Sequence, residues 1–164
     1  MGLTIPGELA SLLSMLGYEW PQSDETAIFQ LAGEWTGMAG QISGSVAQLE
    51  SAARTVLDNN RGESFTAFAG EWNDGESAAR NIADVARPAT VIGVGLMVAA
   101  GVVLALKIQV IIQLALLAIQ IAQAIVTAAV TFGASLLQIP IFKMITGFII
   151  DQLIGMAVET VLNG

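Results

Sequence analysis

Residues 107–138 read KIQVIIQLALLAIQIAQAIVTAAVTFGASLLQ. Gln109, Gln113, Gln120, Gln123, Thr127, Thr131 and Gln138 are nearly all of its polar residues. At 100° per residue they fall within an arc of roughly 80° across about eight turns, a pattern that a helix produces and a strand does not. The spacing predicts one continuous helix over 109–138, about 45 Å long and so longer than a ~30 Å hydrocarbon core. A helix facing lipid all round would not keep amides along one line, because an unsatisfied buried amide costs about 1–3 kcal/mol. Two environments fit: the central helix of a soluble bundle with a narrow wet edge, or an assembly in which Gln and Thr line contacts or a lumen. Lys107 lies opposite the stripe, where it would snorkel in a membrane or sit near a helix end in a bundle.

Working outward, residues 88–142 carry no charge except Lys107. Ala89 to Leu106 is eighteen residues long, close to the ~20 that cross a hydrocarbon core, and Gly93, Gly95 and Gly101 lie within it. Arg87-Pro88 marks a kink or boundary before it. Beyond the stripe, Ile139-Pro140 begins a last helix to about Leu162, with Phe142, Ile145, Ile149, Leu153, Met156 and Val161 among its apolar positions.

The first half has a different character. A short helix is predicted from Pro6 or Gly7 to Leu16, started by Thr4 and ended by Gly17. Pro21 interrupts the chain, and Ser23 caps a second helix whose first turn holds Asp24 and Glu25. That helix carries an a/d seam of Ile28, Leu31, Trp35, Met38, Ile42, Ser45, Leu49, Ala52 and Val56, which predicts packing along its length. Gly33, Gly37, Gly40 and Gly44 follow a separate line, each costing roughly 1 kcal/mol relative to alanine in a helix interior. Close approach of another helix would offset that cost; a bend or break near Gly37 to Gly40 is the alternative. After a turn at Asp58 to Gly62, Phe65, Phe68, Trp72, Gly75, Ala79, Ile82 and Ala86 predict a third helix, antiparallel to the second.

Composition narrows the function. With no cysteine and no histidine, disulfides, thiolate metal sites, cysteine nucleophiles and histidine bases are excluded. The hydrophobic share is 54% and the charged share 12%, half the usual ~25%, so something must cover the apolar surface. The net charge of −8 arises within residues 1–87, which disfavours nucleic acid and anionic lipid as partners. No basic residue precedes Arg54, so the n-region of a cleaved signal peptide is not expected. Carboxylate pairs such as Glu71/Asp74 read as a solvated helix face, and Gly93-Val94-Gly95 lacks the remaining parts of a dinucleotide site. No catalytic residue, cofactor or metal is expected.

The tetrapeptide Ala-Gly-Glu-Trp occurs at Ala32–Trp35 and again at Ala69–Trp72. Counted around the turn, the two tryptophans are offset by about 22 Å, which places them in different layers. Trp35-Thr36-Gly37 resembles the Trp-x-Gly signature of the WXG superfamily of helical hairpins exported by the type VII (ESX) secretion system. The ordered set Trp20-Pro21-x-x-Asp24, Leu31-Ala32-x-x-Trp35, Phe65-x-x-Phe68-x-x-x-Trp72 and the long Ile/Leu/Gln helix ending near Gly133-Ala134-Ser135 is similar to the WXG-like N-terminal domain of actinobacterial channel and toxin proteins of the CpnT type. The resemblance covers about residues 4–140. It implies a helical export and pairing module, recognised with a small helical partner and usually preceding a toxin domain. Two departures stand against the pattern: Gln22 occupies the acidic position after Tyr18 in the family's Tyr-x-x-x-Asp/Glu signal, and no toxin domain follows Gly164.

The expected fold is all-α: a single domain over 1–164, an elongated bundle on a long antiparallel hairpin, with an acidic part (1–87) and an apolar part (88–164). The expected function is non-enzymatic helix–helix association with a small hairpin partner or with itself, in contact with the secretion machinery and exported without a signal peptide. The alternative is a cell-envelope or integral membrane channel, or a membrane-permeabilising protein. The expected interaction residues are Trp20, Pro21, Asp24, Trp35, Gly37, Gly40, Gly44, Trp72 and Gly75, together with the Gln/Thr stripe.

Overall fold

The computed structural model describes residues 2–163, and Met1 and Gly164 lie outside them. The described chain is all-α: α1 (Gly7–Met15), α2 (Glu25–Asn59), α3 (Glu63–Trp72), α4 (Ala78–Ala128), a 3-10 turn (Ala134–Leu137) and α5 (Gln138–Asn163). It divides into two compact units that do not follow chain order, one of Met1–Ala27 with Val98–Gly164 and one of Ile28–Met97.

In the Ile28–Met97 unit, α2 is unbroken through Gly37 to Gly40, so the predicted alternative of a break there does not occur. Its buried face is Ala32, Ala39, Val46 and Ala53, one residue every seven. The predicted a/d seam is displaced from it: Leu31, Met38, Leu49 and Val56 are exposed, and Ile28, Trp35 and Ile42 are half-buried at its edge. The reason lies on α4, where Ala89 and Gly93 are buried. A Cβ at Gly93 would lie 2.6 Å from Thr36 Cγ2 and 3.0 Å from the Ala32 carbonyl oxygen. Helices this close leave room for alanine but not for leucine between them.

The predicted third helix is broken in two. α3 ends at Trp72, where Asn73 Nδ2 donates to the Ala69 carbonyl (2.7 Å) and Asp74 Oδ1 accepts from the Glu76 N–H (2.7 Å). Asn and Asp side chains here offer the backbone partners that compete with helical ones. Gly75 therefore sits in the turn, not on a seam. Of the kink or boundary expected at Arg87-Pro88, a helix boundary is absent, because α4 runs on through Pro88. Proline removes the bond to the carbonyl four residues back, here that of exposed Asp84, and burial of Ala89 and Gly93 just beyond favours continuing the helix.

In the other unit, Gly7–Met15 forms the predicted first helix, closed by Gly17 at φ +89. Leu13 packs with Val110 and Leu114 of α4 and Ile150 of α5, and Leu9, Leu12, Leu16, Tyr18 and Trp20 surround them. Tyr18 Oη donates to the Gly147 carbonyl (3.0 Å), fastening the segment after α1 to α5. Its phenol is held above its ordinary pKa, first by the hydrogen bond with Asp151.

The long helix also stops earlier than its spacing predicts. α4 ends at Ala128, and Thr131 and Gln138 are not part of it. The Gly133 N–H donates to the Ala128 carbonyl (2.8 Å), with Phe132 at φ +51 and Gly133 at φ +84. This is a Schellman-type closure, in which a left-handed residue ends the helix and its orphan carbonyls are satisfied. Ser135 Oγ donates to the Ala124 carbonyl (2.7 Å), locking the chain reversal before α5.

Candidate interaction surfaces

Burying Lys107 in an apolar helix demands a partner. The ammonium donates to Glu25 Oε2 (2.7 Å) and to the Ser23 carbonyl (2.6 Å), and lies 5.7 Å from the Trp20 ring centroid. The Leu3 N–H donates to the other Glu25 oxygen. Both side chains are nearly inaccessible, at 3% and 4% exposure. The hydrogen bond from Lys107, then that from Leu3, holds the Glu25 carboxyl at about 2, against the opposing effect of burial.

Lys107 is thus neither snorkelling nor near the end of its own helix, as the sequence suggested; it meets the first turn of α2. Ser23 does not cap that helix with its side chain. Asp24 does, accepting from the Ala27 N–H at 3.1 Å, a bond that lowers its pKa. The Trp20-Pro21-x-x-Asp24 motif accordingly lies against Lys107: Trp20, Pro21, Ser23, Asp24 and Lys107 line one cavity of about 200 Å³. Glu25 was missed as a site residue. Its signal was Lys107 itself, a lone charge between Pro88 and Phe142 that requires an acid elsewhere in the fold.

The Trp-x-Gly residues do not form one patch. Trp35 is half-buried beside exposed Leu31, Glu34 and Met38, whereas Gly37 is exposed and nearly opposite on the helix, about 160° away. Gly33, Gly37, Gly40 and Gly44 all face open space, with nothing within 4 Å of an added Cβ. α2 therefore presents three lines: small residues inward, glycines on one flank, and Leu31, Met38, Leu49 and Val56 on the other.

Trp72 stands apart from Trp35, as the layer count predicts. It stacks at a tilt on Phe68, with ring centroids 5.7 Å apart, and borders a 640 Å³ cavity with Val46, Glu50, Arg54, Arg80 and Asp84. Of the Gln/Thr stripe, Gln113 and Gln120 are half-buried and Gln109, Gln123 and Thr127 exposed on α4. Thr131 lies in the turn, bonded to Ser135, and Gln138 opens α5. Two helical stretches, within Ala78–Ala128 and Ala134–Asn163, are long and apolar enough by length and composition to cross a membrane.

These surfaces define a class: an all-helical module whose conspicuous features are exposed apolar helix faces. The chain belongs to the WXG100-like domain family, whose description, WXG100 like domain, matches residues 6–148. Proteins of that family are helical, secretion-associated and non-enzymatic, and they work by association with other proteins. No curated protein and no solved structure matches the chain.

Proposed function

We propose that the chain is the pairing and export module of a type VII (ESX) secretion substrate of the CpnT-like kind, and that the outer flank of α2 receives a small helical-hairpin protein. The observation that carries this reading is the separation of the two apolar lines on α2. Intrachain packing uses Ala32, Ala39, Val46 and Ala53, leaving Leu31, Met38, Leu49 and Val56 exposed along one side. A single apolar stripe at helical spacing is what an amphipathic partner helix covers. The partner has a matching stripe and, against this acidic chain, a polar face that is not acidic. Gly37, Gly40 and Gly44 offer a second approach, where a backbone can come close.

Co-expression with the helical-hairpin proteins encoded beside the gene tests this. A stable complex is expected by size exclusion with light scattering, lost in Leu31→Asp/Met38→Asp. A monodisperse monomer that retains none of those hairpin proteins overturns the proposal. Self-association broken by the same double variant would keep the surface and change the occupant.

Membrane association, as a permeabilising element or channel, is the second reading, favoured by the exposed apolar residues of α4 and α5. Flotation with liposomes separates it from pairing, because the α2 double variant leaves those residues intact.

A further inference from the structure

The turn between α4 and α5 differs from the flank of α2 in degree: its apolar residues are far more exposed. Val126 is 76% exposed, Val130 81%, Phe132 100% and Leu137 76%. Thr127, Thr131 and Gln138 are exposed beside them, but both threonine hydroxyls are bonded within the chain, and bare apolar side chains gathered at one end suit an apolar medium. Residues 108–142 contain no charged side chain, so nothing ionic would have to enter such a medium with them.

Most backbone donors of the turn also meet the stricter requirement of hydrocarbon, a partner inside the protein. The N–H groups of Val130, Thr131, Gly133, Ala134 and Leu136 donate to carbonyls within the turn or the last turn of α4. The Ser135 N–H donates to Thr131 Oγ1. The hydroxyls are used likewise: Thr127 Oγ1 donates to the Gln123 carbonyl, Thr131 Oγ1 to the Thr127 carbonyl, and Ser135 Oγ to the Ala124 carbonyl. Phe132 adds a second observation. It takes the left-handed conformation that favours glycine, at φ +51, and its ring is wholly exposed. A helix end built only for stability would hold glycine there.

We infer that the α4–α5 turn is a membrane-insertion tip: Phe132, with Val126, Val130 and Leu137 around it, enters the acyl region of a bilayer while the acidic remainder stays in water. The inference rests on the membrane-association reading and narrows it to one end of one helical pair. Insertion is driven by apolar area rather than by lipid charge, since the chain carries −8. Neutral vesicles are therefore bound at least as well as anionic ones.

The full chain lacks cysteine, so Phe132→Cys or, as a control, Asn60→Cys accepts a single environment-sensitive dye. With phosphatidylcholine vesicles the dye at 132 is expected to shift to the blue and be quenched by lipids labelled in the acyl chain, while the dye at 60 does neither. Unlabelled Phe132→Gly is expected to melt no lower than the native chain, because glycine relieves the left-handed residue, yet to float at least threefold less. Leu137→Asp is expected to float about tenfold less. If the native chain floats but the dye at 132 stays wet, or both variants float normally, the tip is wrong and membrane association stands. If the native chain does not float, both fail. A blue shift that grows with protein concentration without vesicles assigns the tip to a second copy and overturns the inference.

Discussion

Gly93→Ala tests the packing logic of α2 against α4. In an unconstrained helix interior the change would stabilise by roughly 1 kcal/mol, since alanine is the better helix former. At Gly93 the new methyl would lie 2.6 Å from Thr36 Cγ2, 3.0 Å from the Ala32 carbonyl oxygen and 3.2 Å from the Thr36 nitrogen. Two of these three atoms are backbone. The Thr36 rotamer is itself held, because its hydroxyl donates to the Ala32 and Gly33 carbonyls at 3.1 and 3.0 Å. The clash can be relieved only by moving a helix, so the cost belongs in the upper part of the ~1–3 kcal/mol range for overpacking. Subtracting the propensity gain leaves a net loss of about 1–2 kcal/mol, or a melting point lower by about 2–8 °C for a chain of this size. Gly95→Ala is the control, two residues along the same helix with nothing within 4 Å; it should raise the melting point by about 2–4 °C. Thermal melts by far-UV circular dichroism read both. Equal shifts in the two variants, or a stabilised Gly93→Ala, would refute the close approach of α4 to α2.

Lys107→Met leaves the Glu25 carboxylate buried without its cation and should destabilise by about 3–5 kcal/mol, whereas the double variant Lys107→Met/Glu25→Leu should recover most of that loss in urea titrations; a double variant no better than the single one would sink the pairing argument. The ion pair also sets an acid dependence. Because the folded carboxyl of Glu25 titrates at about 2 rather than its ordinary 4.5, its contribution is complete above the unfolded value and is lost as pH falls through the folded one. Between about pH 5 and pH 2 the urea midpoint of the native chain should fall more steeply than that of Glu25→Gln, and parallel slopes would show that Glu25 is not the group responsible.

Helix existence was legible from period alone, but which face turns inward was not. The a/d count on α2 selected the largest residues at 3.5-residue spacing, and a hydrophobicity pattern cannot distinguish a seam used within the chain from one left for another. Ala32, Ala39 and Ala53 give a weak apolar signal, and only the glycine at 93 announces that small residues are what the contact requires. Helix ends were misread where side chains decide. Asn73 and Asp74 stop α3, and Thr131 and Ser135 close the end of α4, through bonds that depend on three-dimensional placement rather than on spacing. Pro88 is the opposite case: as a helix boundary it fails, because α4 continues through the missing hydrogen bond.

The excess hydrophobicity of the chain has the same origin as the misplaced seam. A 54% hydrophobic composition suggests a large core of bulky side chains, yet among the described residues the largest fully buried side chains are Leu114, Leu117 and Ile150. The buried faces of α2 and α4 in the Ile28–Met97 unit hold instead Ala32, Ala39, Ala53, Ala89 and Gly93, with Val46 the bulkier exception, and these small residues stabilise mainly by letting the helices approach. Every bulky residue excluded from that contact must appear outside, as Leu31, Met38, Val91 and Val94 do. A helical unit closed by alanine is thus apolar on its surface by construction. The exposed outer lines are then a consequence of how α2 and α4 pack, and replacing the inner alanines by leucine would not simply enlarge the core but would part the helices and alter those lines.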